Sequence, residues 1–296
     1  MGAADSVPGV SGGTIAVISR IYDELIYSLR AIDSQALRLL FKGEVKNAWR
    51  HINGSFLLTL LLGIALSLRL SAGTVLLLLE NYFAPLMAFF IGLVLASSWY
   101  LKGRFVAAGA GVWFALCAGV LLTLAVSALS PQSAVQISLP YLFFCGLLAI
   151  CAMILPGLSG AFLLLVLGVY EYLLEAVVVW DFAVILVFVS GCVLGLLGFS
   201  RLLAWALRHY HNLSYAFLTG MLLASLWVLW PWQEARSFSV DSEGQLHVLE
   251  KANIWPQDYL AATGDEPQLL TVVIALIAGF LLIVGFEKLF NVSADK

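Results

Sequence analysis

The chain has 296 residues, of which 62% are hydrophobic and 11% charged. That balance excludes a soluble globular protein, and apolar runs long enough to cross a bilayer recur along the whole length. A formal net charge of -3 leaves no basic surplus for nucleic acid.

Residues 3–26 read as a broken hairpin, two short arms meeting at a turn built on Pro8-Gly9-Val10-Ser11-Gly12. Only seven residues precede Pro8, so this hairpin has a short entering arm or the chain as given starts late. Residues 27–54 are polar and basic. Leu37, Leu39, Leu40 and Phe41 interleave with the cations there, the pattern of an amphipathic helix drawn to anionic lipid heads. Residues 55–79, 83–101 and 105–129 are expected to be spanning helices. Residues 139–155 and 161–175 flank a second break, Pro156-Gly157-Leu158-Ser159-Gly160. Three more spans follow at 182–207, 213–231 and 269–288, with an acid-rich polar loop at 232–268. Cys117, Cys145, Cys151 and Cys192 lie in apolar runs without metal-ligand spacing and read as free, buried thiols.

The two breaks belong to an internal repeat. Downstream of each motif, Tyr22-Asp23-Glu24-Leu25 matches Tyr170-Glu171-Tyr172-Leu173. Gly92 to Trp99 aligns with Gly220 to Trp227, and in the same register Gly63 meets Gly191 and Tyr82 meets Tyr210. The expected fold class is therefore an all-α integral membrane protein of two repeats, 1–130 and 139–296. Each repeat is a re-entrant broken hairpin followed by three transmembrane helices.

Lys and Arg set the orientation. Arg30, Arg38, Lys42, Lys46 and Arg50 place segment 27–54 in the cytoplasm. Counting spans from there puts Lys102, Arg104, Arg201, Arg208, Lys288 and Lys296 on the same side, with the C-terminus. The acidic stretches Glu171 to Asp181 and Glu234 to Glu266 fall outside, and only Arg236 and Lys251 break the rule. The two hairpins then enter from opposite faces. That is an inverted-topology repeat, whose paired breaks point to a transport site near the midplane.

A Pro-Gly interruption frees backbone groups that need protein or water as partners. The helix that restarts after it presents unpaired N–H groups and a positive dipole end, which suits an anion. Glycine lets an anion approach the backbone, and Ser11, Thr14 and Ser159 add hydroxyls. Alternatively, such a motif only kinks and packs helices, as small residues often do. Arg69 lies inside the run 55–79, either snorkelling to the outer surface or serving as counter-charge for an anionic head. Asp5 either caps the entering arm or titrates as a proton-coupling group. Tyr22 and Tyr170 read as interfacial anchors, and Glu171 and Glu175 as outer-surface charges. His51, His209, His211 and His247 fall in loops or at span ends, and neither serine has a visible base, so an enzyme finds little support.

The run from Met1 through Asp5-Ser6-Val7-Pro8-Gly9-Val10-Ser11-Gly12-Gly13-Thr14, followed by Ile21-Tyr22-Asp23-Glu24-Leu25, resembles the signature of the PopT-type polyprenyl-phosphate transporters. The resemblance covers essentially the whole chain. It implies a bacterial inner-membrane flippase, without a cofactor, that returns undecaprenyl phosphate from the outer to the cytoplasmic leaflet for reuse as the envelope lipid carrier. The motif positions carry over as Pro8, Gly9, Ser11, Gly12, Gly13 and Thr14, and as Pro156, Gly157, Ser159 and Gly160. The second copy departs from the first, with Ala161 and Phe162 where the first has Gly13 and Thr14.

A phosphate head at mid-depth and a tail left in the bilayer call for a groove open to lipid between the repeats, worked by alternating access. Three other readings stand beside it. A small-anion secondary transporter could use the same cage, a membrane scaffold would use the motif only for packing, and an intramembrane phosphatase would need one of the serines.

Overall fold

The computed structural model describes residues 1–2, 11–101, 103, 105–106, 109–129, 137–240 and 246–294. Helices dominate it. The first hairpin contributes α1 (Gly12–Ile18) and α2 (Tyr22–Arg30). The second contributes α8 (Leu139–Ile154), α9 (Gly160–Val166) and α10 (Tyr170–Val178). The two copies end their short helix in the same way. Arg20 and Gly168 both adopt left-handed backbone, with φ of 61° and 68°. Around them Arg20 N–H bonds Val17 O and Ile21 N–H bonds Ala16 O, while Gly168 N–H bonds Leu165 O and Val169 N–H bonds Leu164 O. This is the left-handed helix stop, built at matching positions of the two copies.

The basic segment forms α3 (Ser34–Phe41) and α4 (Val45–His51). Leu37, Leu40 and Phe41 are exposed on α3, Phe41 to 89%, as an interfacial amphipathic helix requires. A 71° bend then leads into α5 (Gly54–Asn81). The bend is fixed by left-handed Asn53, whose side chain donates to Glu24 Oε1 (2.9 Å) and Ser28 Oγ (3.3 Å).

Each segment expected as a span holds a helix among its described residues: α5, α6 (Phe83–Leu101), α7 (Ala110–Ser127), α11 (Phe182–His209), α12 (His211–Val228) and α14 (Leu269–Ala294). Among the described residues, α7 and α11 alone are long and apolar enough to cross a membrane singly, and the bent α4–α5 pair is a third candidate. Phe83–Trp99, Leu139–Ile154 and Leu269–Gly285 are shorter apolar stretches.

Three helix pairs dominate the packing: α6 with α14, α7 with α12, and α8 with α11. Each is a reciprocal glycine crossing. A Cβ on Gly92 would strike Leu276 O, and one on Gly279 would strike Phe89 O. Gly119 and Gly220 face Phe217 O and Leu116 O, and Gly146 and Gly191 face Phe188 O and Phe143 O. With no side chain between them, the backbones touch directly, which is how helices associate where no hydrophobic drive separates lipid from protein.

The stretch read as an acid-rich loop is more ordered than expected. It forms an antiparallel hairpin, β1 (Gln233–Val240) and β2 (Leu246–Asn253), then α13 (Pro256–Thr263). Trp230 Nε1 donates to Ile254 O (2.8 Å) and Trp232 Nε1 to Pro267 O (2.9 Å). Trp232 and Tyr259 pack on Ala84, Ala88 and Val272, so the segment leading into the hairpin and α13 are seated on the ends of α6 and α14. Two side-chain expectations are also corrected. Tyr22 is 4% exposed and belongs to the main core, because α2 turns it inward. All four cysteines are free, but Cys117 is exposed, since α7 turns that face outward.

Candidate functional site

From Ser11 on, the described end of the first motif meets the second copy, half a chain away, beside the main apolar core. Ser11 caps α1, its Oγ accepting from Gly13 N–H at 3.1 Å. The same hydroxyl donates to Met153 O at 3.1 Å, in the last turn of α8 before the second break. Three residues on, the Thr14 hydroxyl accepts from Gly157 N–H at 3.0 Å. Between these bonds, a Cβ on Gly13 would lie 2.6 Å from Ile154 O. The start of α1 thus lies backbone-on-backbone against the end of α8, and any residue larger than glycine at position 13 would push them apart.

The second copy has a floor of its own. Gly157 adopts φ of +84°, and a Cβ there would sit 2.8 Å from Met221 O on α12. Gly160 closes against Met153 and Ala149 O. Ser159 caps α9 through Phe162 N–H (3.3 Å). Ser11 and Thr14 are 4% and 3% exposed and Pro156 is fully buried, whereas Ser159 is half-buried and keeps its O–H to donate. The breaks leave backbone groups unpaired where a helix would have used them, and the cross-bonds satisfy one donor, Gly157 N–H, and one acceptor, Met153 O.

Of the residues expected at the site, Ser11, Gly12, Gly13, Thr14, Pro156, Gly157 and Gly160 are buried at this crossing, with Ser159 at its edge. Arg69 is not brought to it; it lies exposed on α5. Pro8, Gly9 and Asp5 lie outside the described residues. The pairing of Tyr215 with Asp23 was not anticipated: the Tyr215 hydroxyl donates to Asp23 Oδ2 at 2.5 Å, joining α12 to the first hairpin. Its trace in the sequence is a repeated acid, Asp23 matching Glu171. Among the described residues, no cluster of three or more His, Cys, Asp or Glu side chains could hold a metal.

Long apolar helices frame a membrane protein, and the family it matches makes it a transporter rather than an enzyme. The family comparison is specific: residues 1–247 match the model of the undecaprenyl phosphate translocase-like proteins, and the chain belongs to that family. A polyprenyl-phosphate transporter of Vibrio cholerae is 39% identical over 288 residues, 97% of this chain and 93% of the relative. A polyprenyl-phosphate transporter of Staphylococcus aureus is 31% identical over 258 residues, 78% of this chain and 83% of the relative. No solved structure matches.

Proposed function

We propose that this protein is a flippase that returns undecaprenyl phosphate from the outer to the cytoplasmic leaflet of the bacterial inner membrane. The phosphate head is handled at the crossed turns while the polyprenyl tail stays in lipid through a lateral groove. The observation that carries this reading is the bond from Gly157 N–H to the Thr14 hydroxyl, which ties the two motif copies into one element. Ser159, at the edge of the crossing and with no acceptor for its O–H among the described residues, is the first donor a head group would meet.

The reading takes the halves as inverted repeats that rock about the crossing. Helix pairing supports this. By the sequence correspondence α6 matches α12 and α7 matches α14, so the pairs α6–α14 and α7–α12 are one contact made twice. Basic segments place α3, α4 and the C-terminus in the cytoplasm. Arg69 enters as the counter-charge that meets the head before it reaches the turns. Asp5 enters as the proton-coupling group; an unaltered pH profile of transport in Asp5→Asn would remove it.

The test is flipping of fluorescent undecaprenyl phosphate in liposomes holding only this protein. Wild type should flip it, and a correctly folded Ser11→Ala/Ser159→Ala variant should not. Absence of flipping by reconstituted wild type, with and without a pH gradient, would sink the proposal.

A further inference from the structure

Away from the crossed turns, a second concentration of charge forms where the end of α11 meets the corner between α2 and α3. Arg201, Trp205, Arg208 and His209 recur at i, i+4, i+7 and i+8, which puts them on one helical face. Opposite stand Arg30, the last residue of α2, and Asp33, the cap of α3. These six residues line a cleft of about 300 Å³.

The charges are not neutralised by one another. Asp33 Oδ1 accepts from the Gln35 and Ala36 N–H groups (both 2.9 Å) and meets His51 Nε2 at 3.2 Å, so that carboxylate is engaged on the α3 side. Arg201 is held in place by the backbone: its Nη1 donates to Leu197 O (2.5 Å) and its Nη2 to Ile32 O (2.8 Å). Among the described residues none of Arg30, Arg201 and Arg208 has a carboxylate within ion-pair distance. With His209 neutral, the lining carries a surplus of two positive charges. Trp205 is 48% exposed and lies against His209 and Tyr210, ring centroids 5.5 and 5.4 Å away. An aromatic of this kind beside cations marks the level of lipid head groups.

We propose that this cleft binds a phosphate monoester, as a second head-group station at the membrane surface. A monoester carries about -1.5 to -2 charges near neutral pH, which matches the surplus, whereas a phosphodiester lipid head supplies only a single negative charge to the same lining. Arginine forks suit phosphate oxygens, and Arg201 is already oriented. Lipid phosphate and free inorganic phosphate share this chemistry. The proposal rests on the translocation reading only where it names the lipid as the source, with the cleft as the station on the Lys- and Arg-rich side.

The test uses the full chain in phosphatidylcholine nanodiscs and a polyprenyl phosphate bearing a diazirine beside the head, with labelled peptides located by mass spectrometry. A polyprenol with the same diazirine is the control. Label is expected in the Leu197–His211 peptide, and it should fall about tenfold in Arg30→Gln/Arg208→Gln. Both residues are exposed, so the exchange leaves packing intact. Label at the crossed turns reports separately on the translocation reading, so either site can fail alone. Loss of that label in excess inorganic phosphate would support a monoester site open to free phosphate, and label that persists would assign the site to the lipid. Three results would overturn the proposal: no lipid label at the cleft, equal label in the double variant, or equal displacement by phosphatidylglycerol.

Discussion

The backbone N–H of Gly157 donates to the hydroxyl of Thr14 at 3.0 Å, joining residues 143 positions apart. Both partners are buried, so the bond cannot be exchanged for water.

Thr14→Val keeps the shape and removes the acceptor. The Gly157 amide is then buried without a partner, a loss of about 1–3 kcal/mol. The expected outcome is a lower melting temperature in detergent and slower flipping, with Thr14→Ser restoring both. Wild-type stability and flipping in Thr14→Val would mean the turns hold together without this bond.

Gly157→Ala faces two obstacles, a φ of +84° and a carbonyl of Met221 at 2.8 Å from the new Cβ. Left-handed backbone costs an L-residue about 1–2 kcal/mol, and forced overpacking adds about 1–3 kcal/mol. Loss of folded protein from the membrane is the expected result. Quantifying monodisperse yield against wild type checks it, and equal yield would show that the turn can retreat from α12.

Arg69→Ala should weaken capture of the lipid phosphate while leaving the fold untouched, because the side chain is exposed on α5. Flipping measured over a range of lipid concentration should show a raised half-saturation point. An unchanged curve at matched expression would remove Arg69 from head-group capture.

The carboxyl of Asp33 is held below its ordinary value of 3.8, chiefly by the Ala36 amide, with His51 and the Gln35 amide adding to it. A depressed value stabilises the folded segment above the unfolded pKa, and that stability is lost as pH falls through the folded one. Hydrogen exchange at Gln35 and Ala36 should therefore quicken as pH drops below about 4, after correction for intrinsic rates. Asp33→Ala should exchange quickly at every pH. PH-independent protection in wild type would contradict the cap.

Much of this was legible in the sequence, for reasons that particular residues make plain. The crossing could be expected because Pro-Gly cannot continue a helix, and two copies at matched positions need each other to satisfy what they release. The hairpin stops at Arg20 and Gly168 were harder to see, because one copy uses arginine where a left-handed turn favours glycine. Strands β1 and β2 leave little trace because the ladder is irregular around Ser237, which breaks any period-2 pattern, and because Trp230 and Trp232 resemble ordinary interfacial aromatics. Tyr22 shows the limit of position alone: near a hairpin end it reads as an anchor, and only the rotation of α2 about its axis decides that it points inward. Arg201 was counted as a topological charge, since its bond to Ile32 O spans 169 positions and leaves no local pattern.

The glycine crossings bear on how this chain can change over generations. Gly92, Gly119, Gly146, Gly191, Gly220 and Gly279 each face a partner's carbonyl at a distance no β-carbon fits. Any codon change that replaces one of these glycines adds at least that carbon, and a compensating change cannot shrink a carbonyl. In a saturation library selected for growth, these six positions should stand out as columns where alanine is depleted alongside every other residue. Exposed neighbours such as Leu121, Leu186 and Leu281 should accept most apolar exchanges.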